Sequence, residues 1–296
     1  MRKTLYWGVR LSLKPFLAPW IPISIQRGWS NFAALSTLAP KDVGRSMLDM
    51  DGVPALLLRP AQCDARRIIL YLHGGAYILG GPASHGKLAA QIGHAAHARV
   101  YLADYRLAPE HPFPAALDDA VAAYRWLLAQ GNTADQISIA GDSAGGGLAL
   151  AAAIAIRDSG LPQPAALLLI SPWVDLSLGG ESVQTLAARD PMLRPSWLAL
   201  GARAYCSDKT TQHPACSPLF ASLAGLPPML IQVGSEEILR DDSLRLEQRA
   251  KAAGVRVQLH VYEQMWHDFQ VHAGLLDEAD AALAEIGSFV EAHATA

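Results

Sequence analysis

The sequence predicts an α/β fold with a mostly parallel central sheet flanked by helices, and three observations support this. From residue 50 onward, short apolar runs alternate with longer helical patterns, as is typical of βαβ units. Several of the runs are apolar throughout, as expected for strands that are covered on both faces. Apolar residues make up 51% of the 296 positions, which is enough to build a large core.

The expected elements follow from this alternation. The predicted strands are 55–59, 68–72, 100–103, 137–140, 166–170, 229–233 and 257–261, and the predicted helices are 84–97, 114–130, 145–159, 241–254 and 277–292. Two regions break the pattern: residues 1–50 and residues 175–218, where prolines surround a helical patch at 195–205. Neither has the pattern of a sheet layer. Both are expected to cover the C-terminal edge of the sheet, where α/β folds bind ligands.

Charge and cysteine content narrow the class of protein. The net charge is -3, from 24 basic and 27 acidic residues, and this balance argues against nucleic acid as a partner. The three cysteines form no disulfide framework, which favours a reducing compartment, and we expect a cytoplasmic protein. A bond between Cys206 and Cys216 is the less expected alternative.

The N-terminus combines apolar and basic residues without a membrane-spanning pattern. No segment reaches the 18 apolar residues of a spanning helix, and basic residues and Pro15 interrupt the stretch that would form a signal peptide. Residues 4–20 instead alternate bulky apolar with basic side chains. This pattern predicts a helix packed on its own domain, with a membrane surface as the alternative. Stable membrane insertion is not expected.

A candidate nucleophile follows the strand predicted for 137–140. Residues 141–145 read Gly-Asp-Ser-Ala-Gly and lead into the helix predicted for 145–159. A G-x-S-x-G sequence between a strand and a helix is typical of a nucleophile elbow, in which a strained turn lifts the serine hydroxyl above the sheet. The helix N-terminus also favours negative charge nearby. Ser143 is therefore the predicted nucleophile, and the alternative is a capping serine in a glycine-rich loop.

Candidate oxyanion-stabilising groups follow the strand predicted for 68–72. Residues 73–76 read His-Gly-Gly-Ala, and acyl transfer needs backbone N–H groups directed at the oxygen that becomes negative. Adjacent glycines let a backbone approach the substrate without an intervening side chain. The amides of Gly74 and Gly75, with that of Ala144 after the serine, are the predicted oxyanion hole. His73 is predicted to be a structural hydrogen-bonding residue.

A serine nucleophile needs a base and an orienting acid, in the chain order serine, acid, histidine for this architecture. His267 is the predicted base because it follows the last strand, at the C-terminal edge of the sheet. The acid should follow the strand at 229–233, in a loop that holds Glu236, Glu237, Asp241 and Asp242. Capping of the next helix accounts for at least one of the aspartates. Composition does not separate the two glutamates.

Several motifs follow one another in fixed order between residues 55 and 271. They are His-Gly-Gly-Ala-Tyr at 73–77, Asp-Tyr-Arg-Leu-Ala-Pro-Glu at 104–110, Gly-Asp-Ser-Ala-Gly at 141–145, Ser-Pro-Leu at 217–219 and the 234–242 loop. Together they resemble the bacterial hormone-sensitive-lipase-like (family IV) carboxylesterases of the α/β-hydrolase superfamily. In that family the acid stands two residues before a leucine, in a pattern similar to Asp-x-Leu-x-Asp, which matches residues 237–241 here. The resemblance therefore implies Glu237 as the acid, with Glu236 second.

The resemblance also implies a division of the chain. Residues 1–50 and the insert at 175–218 would form a helical cap on a catalytic domain of residues 51–296, and neither metal nor organic cofactor is implied. Two positions depart from the family pattern. Glu237 replaces the commoner aspartate, and Ala76 stands where most members carry glycine, next to the space for the substrate.

The predicted activity is hydrolysis of small to medium, uncharged carboxylic esters through an acyl-enzyme. Ser143 would attack the ester carbonyl while His267 takes its proton and Glu237 holds the imidazole. An apolar pocket is expected from Tyr77, Met192, Leu193, Trp197, Tyr205 and Trp266. The expected partner is a small-molecule ester or lactone, and the expected assembly is a monomer or homodimer. Lactone hydrolysis is the nearest alternative, followed by an amidase or a non-catalytic small-molecule receptor on the same fold.

Overall fold

An eight-stranded sheet runs through the centre of the computed structural model, which describes residues 1–294. The strands are β1 (Val43–Asp49), β2 (Pro54–Pro60), β3 (Asp64–Leu72), β4 (Ala98–Ala103), β5 (Ile137–Asp142), β6 (Ala166–Ile170), β7 (Met229–Gly234) and β8 (Val257–Tyr262). Their order in the sheet is β1-β2-β4-β3-β5-β6-β7-β8. β2 runs antiparallel to its two neighbours, and all other pairs are parallel. The predicted α/β class is confirmed.

Helices cover both faces of the sheet. They are α1 (Arg2–Ser12), α2 (Ile23–Ala33), α3 (Pro82–Ala95), α4 (Ala115–Ala129), α5 (Ala144–Asp158), α6 (Ser182–Thr185), α7 (Pro195–Cys206), α8 (Arg240–Ala252) and α9 (Asp277–His293). The helices predicted beyond residue 50 are confirmed to within two residues at each end. Within residues 1–294, no helix is both long and apolar enough to cross a bilayer, and the three cysteines are free.

Alternate side chains of β3 enter two separate cores. Ile68, Leu70 and Leu72 lie in the core that includes α4, α5 and α8, whereas Ile69 and Tyr71 lie in the core that includes α3 and α9. This division follows from the two-residue period of a strand. Because both faces are covered, β5, β6 and β7 are buried along their whole length, and their apolar runs were the strongest strand signals.

Residues 43–49 correct the expectation that no part of residues 1–50 joins the sheet. They form β1, which pairs antiparallel with β2 from Val43 opposite Pro60 to Asp49 opposite Pro54. As an edge strand, β1 is held mainly by backbone hydrogen bonds, and only Val43 and Leu48 are partly buried. The sequence therefore carried no buried pattern at this position. The segment outside the sheet ends near residue 42 rather than 50.

The N-terminal segment folds against the insert between β6 and β7. The helix expected within residues 4–20 ends at Ser12, because Pro15 disfavours helical backbone at the residue before it. Tyr6 donates its hydroxyl hydrogen to the carbonyl of Arg189 at 2.7 Å. The buried ammonium of Lys14 donates to the carbonyls of Ala187, at 3.0 Å, and of Asp190. The two regions that break the βαβ pattern thus lie together over the C-terminal edge of the sheet.

Candidate active site

Ser143 occupies a sharp turn between β5 and α5. Its backbone adopts φ 53° and ψ −121°, a strained conformation that persists only when the surroundings enforce it. The turn allows a close approach of chains, because a Cβ on Gly145 would lie 2.0 Å from the carbonyl oxygen of Leu72. Glycine is therefore required at that position. The result is the predicted elbow, with Ser143 on the wall of a cavity.

His267 and Glu237 are joined by a short hydrogen bond between Nδ1 and Oε2, at 2.6 Å. The other carboxylate oxygen, Oε1, accepts from the Ser171 hydroxyl at 2.8 Å and from the Gly234 amide at 2.6 Å. Both ionisable side chains are buried, so each depends on these partners. The arrangement holds the imidazole of His267 in one orientation on the same cavity wall as Ser143.

The other acidic residues of the 234–242 loop point elsewhere. The carboxylate of Glu236 pairs with Arg189 on the surface side of the loop. Asp241 accepts from the amide of Ser182 at 2.8 Å. Asp242 accepts from the successive amides of Val174 and Asp175, in the loop after β6, at 2.9 Å each, and burial raises its pKa to about 7. Among the four candidates, only Glu237 contacts His267.

In the predicted oxyanion loop, one of the three expected donor amides already has a partner. The amide of Gly74 donates to Asp142 Oδ2 at 3.0 Å, so the prediction that it is free for a substrate oxygen was wrong. The buried carboxylate of Asp142 needs hydrogen-bond donors, and this amide supplies one. Within residues 1–294, the amides of Gly75, Ala76 and Ala144 have no protein acceptor. Gly75 lines the cavity beside Ser143.

Asp142 joins the oxyanion loop to the nucleophile turn. Besides the Gly74 amide, it accepts from the Tyr71 hydroxyl at 2.6 Å and contacts His85 Nε2 at 3.3 Å. Burial opposes ionisation of this carboxyl group, but His85 and Tyr71 outweigh that effect and lower its pKa. These contacts hold the two motif loops together.

His73 has the structural place expected for it. Its Nδ1 lies 2.8 Å from the carbonyl oxygen of Gly74, and its ring stacks on Tyr105, with centroids 4.2 Å apart. Burial lowers the pKa of His73 to about 3, which keeps the imidazole neutral. Tyr105 in turn donates to the His73 carbonyl, so the 104–110 motif braces the oxyanion loop from behind.

Asp268 was missed by the sequence analysis. Its Oδ2 lies 3.1 Å from Nε2 of His267, the imidazole nitrogen not used by Glu237, and the residue also lines the cavity. Burial raises the pKa of Asp268 to about 6. A carboxylate next to the predicted base in sequence was the available signal.

Ser171, also missed, directly follows β6, and the carboxyl ends of parallel strands are where such sites form.

Two carboxylates act on the imidazole of His267. Burial disfavours the charged form of the ring, but Asp268 and Glu237 outweigh this and raise the pKa of His267 well above its usual 6.5. A histidine with a raised pKa binds a proton more tightly. Protonation of the His267 imidazole therefore depends on the charges of both Asp268 and Glu237.

A cavity of about 890 Å³ leads to Ser143, His267 and Asp268. The insert contributes Met192, Leu193 and Trp197, as predicted, and most of the remaining wall comes from the N-terminal residues 4–37. This size is typical of small-molecule sites.

Three residues expected in the pocket lie outside its lining. The rings of Tyr77 and Tyr205 stack on each other, with centroids 3.8 Å apart, and both are almost fully buried. Trp266 is also buried and meets Tyr6 edge-on at 6.0 Å. The expectation of pocket contact was wrong for all three, because large aromatic rings next to the motifs fill the core between elements.

Ala76, the residue that departs from the glycine of the family pattern, faces the insert. A Cβ on Gly201 of α7 would lie 2.8 Å from the Ala76 methyl carbon. The glycine in α7 thus leaves room for the methyl group. The extra carbon is accommodated against the insert, and Ala76 is not among the cavity-lining residues.

The arrangement combines a strained serine, a carboxylate-oriented imidazole and the residue Gly75, whose amide is unpaired, on the wall of one cavity. Such a set can attack a carbonyl carbon, transfer the serine proton and stabilise the resulting oxyanion. The helix dipole of α5 adds positive potential at the same point.

Comparison with known proteins agrees with the fold. A family model described as an alpha/beta hydrolase fold matches residues 69–271. An acetyl-hydrolase from Streptomyces hygroscopicus is 48% identical over 233 residues, covering 79% of this chain and 78% of that protein. An esterase from Acinetobacter venetianus is 40% identical over 230 residues, covering 77% and 76%. The crystal structure of an esterase from the bacterial hormone-sensitive lipase family has a TM-score of 0.95 at 40% identity, covering 99% and 98%.

The chain therefore belongs to the α/β-hydrolase family, among the bacterial hormone-sensitive-lipase-like esterases. It is a carboxylesterase.

Proposed function

We propose that the protein hydrolyses small to medium, uncharged carboxylic esters through an acyl-enzyme on Ser143. His267 takes the serine proton as the oxygen attacks the carbonyl carbon, and then protonates the leaving alcohol. Glu237 orients the imidazole and stabilises its charged form. In the second half-reaction His267 activates a water that releases the acid.

The oxyanion is proposed to bind the unpaired amides of Gly75 and Ala144, with the adjacent amide of Ala76 as a third donor. Preorganised N–H groups at this place stabilise charge that exists only in the transition state. Gly74 supports the hole indirectly, because its bond to Asp142 holds the loop against the elbow.

The observation that carries the proposal is the 2.6 Å bond between Glu237 and His267 at a cavity that also exposes the strained Ser143. A buried glutamate with three hydrogen-bond partners, one of them an imidazole, is costly to desolvate and is explained by this role.

The substrate class follows from the cavity wall. Its lining is dominated by apolar side chains of the N-terminal segment and the insert, which we propose act together as a cap. Relatives named acetyl-hydrolase and ethyl acetate hydrolase support a short acyl group. The three free cysteines support a reducing, cytoplasmic location.

Two measurements test the ester proposal. With a p-nitrophenyl ester series, kcat/KM is expected to be highest for short acyl chains, and a fluorophosphonate probe should label the folded wild type at Ser143. A rate that peaks at long acyl chains would contradict the substrate class. Folded protein that stays unlabelled would contradict the serine mechanism.

Replacing Asp268 by asparagine is expected to move the acidic limb of the kcat/KM profile to lower pH. His267 must be neutral to accept the serine proton, and Asp268 helps to raise its pKa. Removing that charge lets the imidazole lose its proton at lower pH. The profile is measured with p-nitrophenyl acetate, and Glu263→Gln, an exposed change in the same loop, is the control. An unchanged limb, or one displaced to higher pH, contradicts this role of Asp268.

A further inference from the structure

Exposed apolar side chains are concentrated at one end of the chain. Of the eleven large apolar side chains exposed among residues 1–294, eight belong to residues 1–38: Met1, Trp7, Leu11, Trp20, Ile25, Phe32, Leu35 and Leu38. Single exposed apolar residues are ordinary, but eight within 38 positions are more than packing on the domain itself requires, which makes this segment a candidate interaction surface. We call these eight residues the N-terminal apolar surface.

The helix α1 has two apolar sides. Leu5 and Val9, with Leu13 directly after the helix, line the active-site cavity. Trp7 and Leu11, one turn apart, are 55% and 72% exposed. A helix that only packs on its own domain needs one apolar stripe. The second stripe therefore stays largely exposed.

The N-terminal apolar surface continues into the mouth of the cavity. Phe32 is 61% exposed and Leu35 is 69% exposed, yet both also line the cavity. Whatever covers the surface would consequently lie against the entrance that leads to Ser143. This continuity connects the surface to substrate entry.

The charge of the segment indicates what covers it. Residues 1–40 contain five basic and no acidic residues, which leaves 19 basic and 27 acidic residues for the rest of the chain. Arg2 and Arg27 pair with glutamates and Lys14 is buried, so Lys3 and Arg10 carry the charge that a partner can meet. Lys3 is exposed, and the guanidinium of Arg10 lies 5.8 Å from the ring of Trp7. The same distance separates Arg194 from Trp20. Tryptophan beside a cationic side chain is typical of residues at a membrane–water interface.

We propose that the N-terminal apolar surface docks reversibly on an anionic lipid–water interface, with the cavity mouth facing the lipid. Amphiphilic esters would then enter from the lipid layer. Docking on lipid is a claim about binding alone, whereas the entry of esters from the lipid layer rests on the proposed esterase function. A symmetric contact between two copies would bring the basic segments of both together, with like charges opposed, so a lipid surface is the better partner.

The experiment measures flotation of the full chain with phosphatidylcholine vesicles, with and without 30% phosphatidylglycerol (about one anionic lipid in three). Wild type is expected to float with the anionic vesicles, less so at high salt, and the paired change Trp7→Ser and Leu11→Ser should weaken binding about tenfold or more. The control is the paired change Leu244→Ser and Val261→Ser, at two apolar residues that are exposed outside the N-terminal apolar surface. Far-UV circular dichroism and unchanged turnover of soluble p-nitrophenyl acetate establish that each variant is folded.

Two outcomes would overturn the docking proposal. One is wild type that floats with neither vesicle, or whose flotation the Trp7 and Leu11 changes leave unaltered. The other is a dimer in sedimentation velocity that the same changes dissociate, which would make the surface a contact between copies. Flotation is repeated with Ser143→Ala, which lacks the proposed nucleophile. Lipid binding of this variant does not depend on ester hydrolysis, so failure of the esterase proposal and failure of the docking proposal can be told apart.

Discussion

Replacing Ser143 by alanine should lower kcat for p-nitrophenyl acetate by roughly a millionfold, as expected when a triad loses its nucleophile. The strained turn places this hydroxyl on the cavity wall with His267, and alanine has no oxygen to form the acyl-enzyme. Residual hydrolysis would come from the oxyanion amides and substrate positioning alone. Initial rates measured over a wide range of enzyme concentration are needed to quantify so large a loss.

Ser159, at the opposite end of α5 and exposed, provides the matched control. Ser159→Ala is expected to leave kcat and KM unchanged, since the residue lies outside the cavity lining. The thermal unfolding temperature of both variants is measured, so that a loss of activity caused by the missing hydroxyl can be distinguished from one caused by unfolding. If Ser143→Ala kept more than about one hundredth of the wild-type kcat, the hydrolysis would have to use another nucleophile.

Replacing Glu237 by glutamine should lower kcat by about three to four orders of magnitude. The carboxylate accepts a 2.6 Å bond from His267 Nδ1. This bond fixes the orientation of the imidazole and leaves proton transfer with Ser143 to Nε2, the nitrogen that Asp268 also contacts. A neutral amide no longer stabilises the charged imidazole, and its NH₂ group favours the wrong tautomer. The effect is measured as kcat at the pH optimum of the wild type.

Glu236→Gln is the control for this prediction, and the two residues are neighbours in sequence. Glu236 pairs with Arg189, whose side chain is 62% exposed, and a pair of this kind contributes little. We expect kcat to change less than about fivefold, because the pair lies outside the cavity lining and is worth about 1 kcal/mol at most. A larger loss for Glu236→Gln than for Glu237→Gln would reverse the assignment of the acid.

Periodicity and motif order were sufficient for most of the fold. β5, β6 and β7 are buried on both faces, so their side chains carry a strong apolar signal. β1 lies at the sheet edge and was missed, because its pairing is carried by the backbone and its side chains are largely exposed. Ser143 and His267 could be proposed as site residues because each follows a strand at the edge where ligands bind.

Side-chain direction was the main source of error at the site. Gly74 and Gly75 are adjacent glycines that the sequence does not distinguish, yet the side chain of Asp142 points at Gly74 and accepts the hydrogen bond of its amide. Tyr77, Tyr205 and Trp266 have the size and chemistry of pocket residues, yet they pack in the interior. Such choices depend on contacts between segments that are distant in sequence.

The sequence by itself determined most of the strands and helices beyond residue 50, the elbow around Ser143 and the loop proposed to supply the acid, because these are local patterns with a fixed chemical meaning. Only the tertiary structure decided that Glu237 rather than Glu236 holds His267, that Asp268 contacts the other ring nitrogen, and that residues 1–38 present an apolar surface at the cavity mouth. Each of these depends on which way a side chain points once distant segments have packed, and local sequence does not encode that direction.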